Sequence, residues 1–106
     1  MKINSYQQIT QEEARDMMDT QEVLILDVRD QREFDVERIP GAVLLPMGDI
    51  AEDTAAAAIG SLDRTVLVYC RSGRRSKLSA QMLADLGYTN IYEFGGIISW
   101  PYDIEK

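Results

Sequence analysis

The segment of this sequence best suited to chemistry follows residues 66–69, Val-Leu-Val-Tyr, and opens with Cys70, the only cysteine. The apolar run predicts a buried strand, and helical spacing of apolar residues after Ser76 predicts a helix. A strand-to-helix turn directs free N–H groups and the positive helix end toward the loop between them. Because a thiolate is an anion, this position predicts a reactive cysteine whose pKa lies below its ordinary value.

Basic residues surround this cysteine in an otherwise acidic chain. Arg71, Arg74, Arg75 and Lys77 are four of only eleven basic residues, and the net charge is −7. Positive charge at the start of a helix opposes the helix dipole, so the cluster suggests an anionic ligand or an acidic partner. The alternative is a buried cysteine at a strand end beside a solvated helix start, the commoner fate of a lone cysteine. The three flanking arginines argue against a cysteine that only fills space among apolar residues.

Composition excludes several classes of function. The chain has no histidine, which rules out a Cys–His dyad, a Ser–His–Asp triad and a histidine-ligated metal site, and we expect no metal or cofactor. One cysteine allows no internal disulfide, which favours a reducing, cytoplasmic location. The acidic balance opposes binding to nucleic acid or anionic membranes. We find no apolar run of about 20 residues, and residues 1–8 do not resemble a signal peptide.

Strands and helices are expected to alternate along a single domain, residues 1–106. Strands are predicted at 6–9, 23–26, 42–45, 65–70 and 90–94. The spacing of Thr10 with Glu13, and of Asp30 with Glu33, predicts capping boxes that begin two helices. Alternation of this kind predicts an α/β fold, with a parallel sheet covered by helices on both faces. Ligands of such sheets gather beyond the carboxyl ends of the strands, where Cys70 lies.

Three local expectations concern the second half of the chain. Gly48 or Asp49 is predicted to cap a helix that runs through the alanine tract to Ile59. The helix after the cysteine loop is predicted to begin at Ser76 and to end at Gly87. Its apolar face should contain Leu78, Met82, Leu83 and Leu86. Gly95 and Gly96 are predicted to turn the chain before a helical turn at 97–100.

Asp27 and Arg29 follow the second predicted strand and reach the same edge of the sheet as Cys70. A carboxylate and a guanidinium at this position can brace the bases of neighbouring loops. We prefer this structural interpretation to a direct part in chemistry. Tyr92, Phe94 and Trp100 are likewise interpreted as core or rim residues.

Taken in order, the motifs resemble a single-domain rhodanese, a sulfurtransferase. The resemblance covers nearly the whole chain. It rests on Leu26-Asp27-Val28-Arg29 with Glu33-Phe34, Ile39-Pro40-Gly41-Ala42, Tyr69 to Ser76, Gly87-Tyr88, and Gly95-Gly96 with Trp100. Two residues depart from the family pattern: Arg38 replaces a frequent histidine, and Ile97 replaces a frequent aromatic residue. Both lie outside the loop, so we expect effects on packing rather than chemistry.

The resemblance implies a central five-stranded parallel sheet and a persulfide on Cys70. The catalytic cysteine would take a sulfane sulfur from a small anionic donor such as thiosulfate and pass it to cyanide or a thiol. The residues expected to bind the donor and the persulfide are Arg71, Ser72, Gly73, Arg74, Arg75 and Ser76. With no second cysteine to resolve the persulfide, the acceptor must come from outside. We expect a monomer.

Two other functions stay open. Phosphatases and arsenate reductases of a related fold need an arginine six positions after the cysteine. Here Ser76 occupies that position and Arg75 comes one residue too early. A sulfur-relay or regulatory module that acts through a protein partner is the other alternative.

Overall fold

The computed structural model describes residues 5–106 and has a five-stranded parallel sheet at its centre. The spatial order of the strands is β1-β5-β4-β2-β3, which places β4 in the middle. The strands are β1 Gln7–Gln8, β2 Leu24–Asp27, β3 Val43–Leu44, β4 Val66–Cys70 and β5 Ile91–Gly96. All pairings are parallel, so the predicted fold class is confirmed.

Four α-helices connect the strands, and two 3₁₀ turns follow β3 and β5. The helices are α1 Gln11–Thr20, α2 Gln31–Val36, α3 Glu52–Ile59 and α4 Arg74–Asp85, and the 3₁₀ turns are Met47–Asp49 and Ile97–Ser99. Both predicted capping boxes are confirmed: Thr10 and Asp30 accept from the N–H groups of Glu13 and Glu33, whose carboxylates accept in return.

The predicted start of α3 is wrong. The segment that contains Gly48 and Asp49 forms the first 3₁₀ turn, and the helix begins only at Glu52. Thr54 causes this later start, because its hydroxyl accepts a 2.8 Å hydrogen bond from the N–H group of Ala51 and donates to the carbonyl of Asp49 at 2.7 Å. A side chain inside the helix thus satisfies a backbone donor that Asp49 was expected to satisfy.

The start and the buried face of α4 also differ from the prediction. The helix begins at Arg74, and Leu78 is 57% exposed. The face against the sheet is made mostly of small side chains: Ser76, Ser79, Ala80, Leu83 and Ala84. Small residues let the helix backbone approach β4 and β5 closely. Apolar periodicity alone could not show that the small residues, rather than Leu78, face the sheet.

Hydrophobic side chains fill both faces of the sheet. On one face Val66, Val68 and Cys70 pack with Ala80 and Leu83 of α4. On the other face the core contains Ala14, Ile39, Leu67, Tyr69, Phe94 and Trp100. Among residues 5–106, no helix has both the length and the apolar character needed to cross a membrane.

Strand β5 carries an irregularity beside the cysteine. Val68 is opposite Glu93, but Cys70 is opposite Gly96, so β5 has one residue more than β4 over this interval. This bulge keeps Gly95 and Gly96 inside the strand, where a turn was predicted. Bulges re-aim side chains and often lie next to active sites.

Candidate active site

The cysteine lies at the end of the central strand, in the loop that leads to α4. Cys70 is only 1% exposed, and its sulfur accepts a 3.0 Å hydrogen bond from the N–H group of Gly73. Gly73 has φ +101°, a left-handed conformation that favours glycine, and it directly precedes α4. The N–H groups of Ser72 and Ser76 also act on the sulfur. The loop therefore forms a small cradle of backbone donors around one sulfur atom.

Two opposing effects set the acidity of the thiol. Burial raises the pKa of Cys70, because a thiolate loses hydration inside the protein. The hydrogen bond with the Ser76 side chain and those from the N–H groups of Ser76, Gly73 and Ser72 lower it, and together they outweigh burial. The pKa of Cys70 is thus lower than its ordinary value, as expected for a nucleophilic thiol.

Glu93 is a site residue that the sequence analysis missed. It is fully buried on β5, and its Oε2 accepts from the Ser76 hydroxyl at 2.6 Å and from the Gly95 N–H at 2.8 Å. Ser76 in turn lies 3.4 Å from the Cys70 sulfur. The available signal was a charged residue in the middle of an otherwise apolar strand, Ile-Tyr-Glu-Phe.

The three arginines of the loop have different surroundings. The guanidinium of Arg75 donates to both carboxylate oxygens of Glu33, at 2.8 and 3.0 Å. Arg74 is exposed. Arg71 is also exposed and borders a cavity of about 390 Å³. The residues around this cavity are Arg29, Arg32, Glu33, Val36, Glu37, Arg71, Ile97 and Ile98.

Arginine and isoleucine therefore line the same cavity beside the cysteine loop. An anionic ligand in this space would face the guanidinium of Arg71 and of Arg32, while Arg75 is already paired. The predicted binding residues lie in the loop and in the first turn of α4, but only Ser72, Gly73 and Ser76 act on the sulfur through hydrogen bonds. The arginines' part in binding stays a prediction.

A serine occupies the position at which a phosphatase loop needs an arginine. Ser76, six residues after Cys70, is buried and directed toward Glu93. Arg75, one residue earlier, is held by Glu33. Neither residue supplies the arginine clamp that a tetrahedral phosphate needs.

Asp27 and Arg29 brace the base of the site, as the sequence predicted. Arg29 donates to both oxygens of Asp27, with a shortest distance of 2.7 Å, and to the Glu37 carbonyl at 2.7 Å. The Tyr69 hydroxyl donates to Asp27 at 2.6 Å. Burial, followed by this bond to Asp27, raises the pKa of Tyr69. The phenol therefore stays protonated as a structural donor.

Gly96 fits closely under the cysteine loop. A Cβ atom at this position would overlap the carbonyl group of Arg71 and the nitrogen of Ser72. Only glycine allows β5 to pass so near the loop backbone. The site thus depends on a residue of β5 that makes no side-chain contact.

The protein is thus an α/β protein with a cysteine in a cradle of N–H donors at the carboxyl edge of its parallel sheet. The family model of the rhodanese-like domain matches residues 10–101. The chain belongs to the rhodanese-like domain family.

Relatives with stated activities agree with this assignment. Thiosulfate sulfurtransferase GlpE of Coxiella burnetii is 34% identical over 96 residues, covering 90% of this chain and 87% of that protein. Thiosulfate sulfurtransferase PspE of Escherichia coli is 35% identical over 72 residues, 68% of each chain. A solved structure described as a rhodanese with anions from E. coli has a TM-score of 0.74 at 28% identity, covering 80% of this chain and 99% of that one. These similarities support a sulfurtransferase of the rhodanese type.

Proposed function

We propose that this protein moves a sulfane sulfur from a small anionic donor such as thiosulfate to cyanide or a thiol, through a persulfide on Cys70. The observation that carries the proposal is the 3.0 Å contact from the Gly73 N–H to the cysteine sulfur, within a cradle that lowers the thiol pKa. Nearby relatives named as thiosulfate sulfurtransferases support the choice of donor.

In the first step the Cys70 thiolate attacks the outer sulfur of thiosulfate. A bond forms between the two sulfur atoms, the sulfur–sulfur bond of the donor breaks, and its electron pair leaves with sulfite. The thiolate uses its electron pair for the new bond, and the terminal persulfide sulfur keeps the negative charge that it carried in thiosulfate. Backbone N–H donors of the loop can stabilise charge at this position without reorganising.

In the second step an external nucleophile attacks the terminal sulfur. The electron pair of the broken persulfide bond returns to Cys70 and restores the thiolate. Because Cys70 is the only cysteine, no internal thiol can take over the sulfur, so the acceptor is a separate molecule. A thiol that must stay reduced between cycles suits a reducing compartment, so the proposal includes a cytoplasmic location.

The second candidate is a relay in which a protein partner delivers or receives the sulfur. The observation that favours it is the pair of apolar side chains beside the cavity, Val36 and Ile98, each 66% exposed. Exposed apolar residues next to a reactive group suit a docked protein better than a small dianion. Turnover with thiosulfate would then be slow relative to transfer from the partner.

The deciding experiment weighs the intact protein after incubation with excess thiosulfate and removal of small molecules. Persulfidation adds one sulfur atom, about 32 Da, and the gain should disappear on adding cyanide or a small thiol. Two oxygen atoms add nearly the same mass, but a sulfinic acid survives the thiol wash. The variant Cys70→Ser is the control and should gain nothing.

Turnover is measured on the same samples, with thiosulfate and cyanide as substrates and with an aryl phosphate in parallel. We expect thiocyanate formation that requires Cys70 and no phosphate release. An unmodified mass in a folded protein with a free thiol would reject thiosulfate as the donor and favour the relay. Phosphatase activity dependent on Cys70 would contradict the proposal.

A further inference from the structure

Glu93 is a fully buried carboxylate with an uneven set of partners. Its Oε2 accepts two hydrogen bonds, but its Oε1 has no hydrogen-bond partner among the residues that the structure describes. A buried carboxylate with one oxygen unpaired is costly to desolvate. Its hydrogen-bonded path toward Cys70 runs from Oε2 through the hydroxyl of Ser76.

Ser76 connects this carboxylate to the reactive sulfur. A serine hydroxyl has one proton, so it can donate to only one neighbour at a time. The 2.6 Å distance to Glu93 Oε2 is that of a charge-assisted hydrogen bond. In the resting state the Ser76 hydroxyl therefore donates its proton toward the Glu93 carboxylate. The sulfur of Cys70, 3.4 Å away, then donates its own proton to the oxygen of Ser76.

We propose that Cys70 and Glu93 share one proton through the hydroxyl of Ser76, so that the proton of the thiol stays inside the protein during sulfur transfer. The S–H bond of Cys70 breaks and its proton goes to Ser76 Oγ. The Ser76 proton goes to Glu93 Oε2, so the negative charge passes from the carboxylate to the sulfur. The reverse transfer restores the thiol.

This arrangement limits the negative charge that meets the donor. A thiolate and a carboxylate separated by one hydroxyl group repel each other, so a single proton on the pair is favoured over none. With Glu93 neutral, an incoming dianion meets one buried negative charge rather than two. Glu93 acts on the sulfur only through Ser76 and is a positioning residue. The part of this inference that concerns sulfur transfer rests on the proposed function. The sharing of a proton between Cys70 and Glu93 in the resting protein does not.

Arg71 and Arg74 flank the cysteine and are exposed, whereas other charged groups on the neighbouring elements have partners of their own. On α4, Lys77 Nζ donates to the carbonyl of Gly73 at 3.3 Å, and Arg75 is bound to Glu33 of α2. On α1, Glu13 accepts from the backbone N–H of Thr10. Strand β1 itself contributes only Gln7 and Gln8. Cys70 is the titratable group to which Glu93 is connected by hydrogen bonds.

The first test follows the ultraviolet absorbance of the thiolate across pH, with the spectrum of Cys70→Ser subtracted. No sulfur donor is present, so the result is independent of the proposed function. We expect the wild-type signal to rise in two steps, because the first proton lost is shared by the pair. Glu93→Gln keeps the shape of the side chain but cannot accept the proton, so it should give one step.

Two further variants separate the proton path from packing. Ser76→Ala breaks the connection and should also give one step, whereas Ser76→Thr keeps a hydroxyl and should restore two. Ser79→Ala is the matched control on the same helix, because the buried Ser79 hydroxyl has no hydrogen-bond partner among the described residues. The Ser79→Ala variant should keep the two-step rise in thiolate absorbance seen in the wild type. A wild-type titration with one step, identical to that of Glu93→Gln, would overturn the proposal.

The second test needs no variant at Glu93. Infrared spectra are compared between wild-type protein loaded with persulfide and Cys70→Ser at the same neutral pH. We expect the carbonyl band of a buried carboxylic acid only in the loaded protein. The same band in both samples, or in neither, would mean that Glu93 does not exchange a proton with Cys70. Failure to load persulfide would reject the proposed function alone, since the thiolate titration still tests the pair.

Discussion

Arg75 and Glu33 form a two-point ion pair that joins the start of α4 to α2, with N–O distances of 2.8 and 3.0 Å. The pair uses the last arginine of the cysteine loop as an anchor. Hydrogen bonding from Arg75 lowers the pKa of Glu33 from 4.5 to about 2, although burial opposes the shift. The loop around Cys70 is thus tied to a helix far away in the sequence.

We predict that this ion pair makes stability depend on acid pH. A lowered folded-state pKa stabilises the protein above pH 4.5, and the contribution is lost as pH falls from 4.5 to about 2. Glu33→Gln should therefore reduce the free energy of unfolding by about 1–2 kcal/mol near neutral pH, after allowance for partial exposure, and by much less near the acid end.

Urea denaturation at both ends of this pH range measures the effect. Glu105→Gln is the control, because it breaks the ion pair with Arg38 in which the carboxylate is 51% exposed. Exposed pairs contribute less than about 1 kcal/mol. Equal losses for the two variants, or a loss for Glu33→Gln that persists in acid, would contradict the prediction.

The arginines of the loop should differ in their effect on donor binding. Arg71→Ala removes an exposed charge from the rim of the cavity and should raise the KM for thiosulfate about fivefold at low salt. Added salt should shrink this difference, because screening already weakens attraction in the wild type. Arg64→Ala is the control, because it also removes one arginine charge. Arg64 pairs with Glu22 and precedes β4, so it lies at the edge of the sheet opposite to Cys70. Steady-state kinetics that show the same KM for both variants would remove Arg71 from donor binding.

Gly96→Ala should damage the site without touching a reactive group. The added methyl group overlaps the carbonyl of Arg71, so β5 or the loop must shift, at a cost of about 1–3 kcal/mol. The rate of sulfur transfer should fall together with the stability, because the shift moves the N–H donors around Cys70. Gly48→Ala, where a Cβ meets nothing within 4 Å, is the matched control. A Gly96→Ala protein with normal melting temperature and turnover would show that the loop tolerates the displacement.

Tyr69→Phe should affect stability more than chemistry. The hydroxyl donates to Asp27 at 2.6 Å and accepts from the N–H of Ile39 at 3.1 Å, on the face of the sheet opposite to Cys70. Its removal leaves a buried N–H unpaired and should cost about 1–3 kcal/mol. Tyr92→Phe, which removes a 3.4 Å bond to Asn90, should cost less. Unfolding curves compare the two, and mass measurement should show normal persulfide loading in Tyr69→Phe.

The sequence predicted those features of the fold that depend on short spacings. Both capping boxes use residues three positions apart, and the apolar runs mark the central strands correctly. The face of α4 was predicted wrongly because Leu78 continues an apolar pattern, whereas Ser76 and Ala80 allow closer contact with the sheet. Patterns of hydrophobicity do not show how closely the backbones of a helix and a strand can approach each other.

The same limit applies to the site. Cys70 and its loop are contiguous in sequence, so their position between β4 and α4 could be predicted from residue types alone. The partners of the loop lie elsewhere: Arg75 bonds Glu33, and Ser76 bonds Glu93, with sequence separations of 42 and 17. No local rule pairs residues over such distances. The bulge in β5 that brings Gly96 opposite Cys70 could not be inferred for the same reason.

The central position of β4 has a consequence for how the protein acquires its reactivity. β4 is bordered by β2, which precedes it in the chain, and by β5, which follows it. The cysteine loop is closed by Glu33 before it and by Glu93 and Gly96 after it. Bringing together segments that are separated in sequence costs loop-closure entropy. The groups that lower the pKa of Cys70 belong to residues 72–76, and contacts with strands and helices on both sides of the loop in sequence hold this segment in place. The acidity of the cysteine therefore depends on the assembled sheet as well as on the loop.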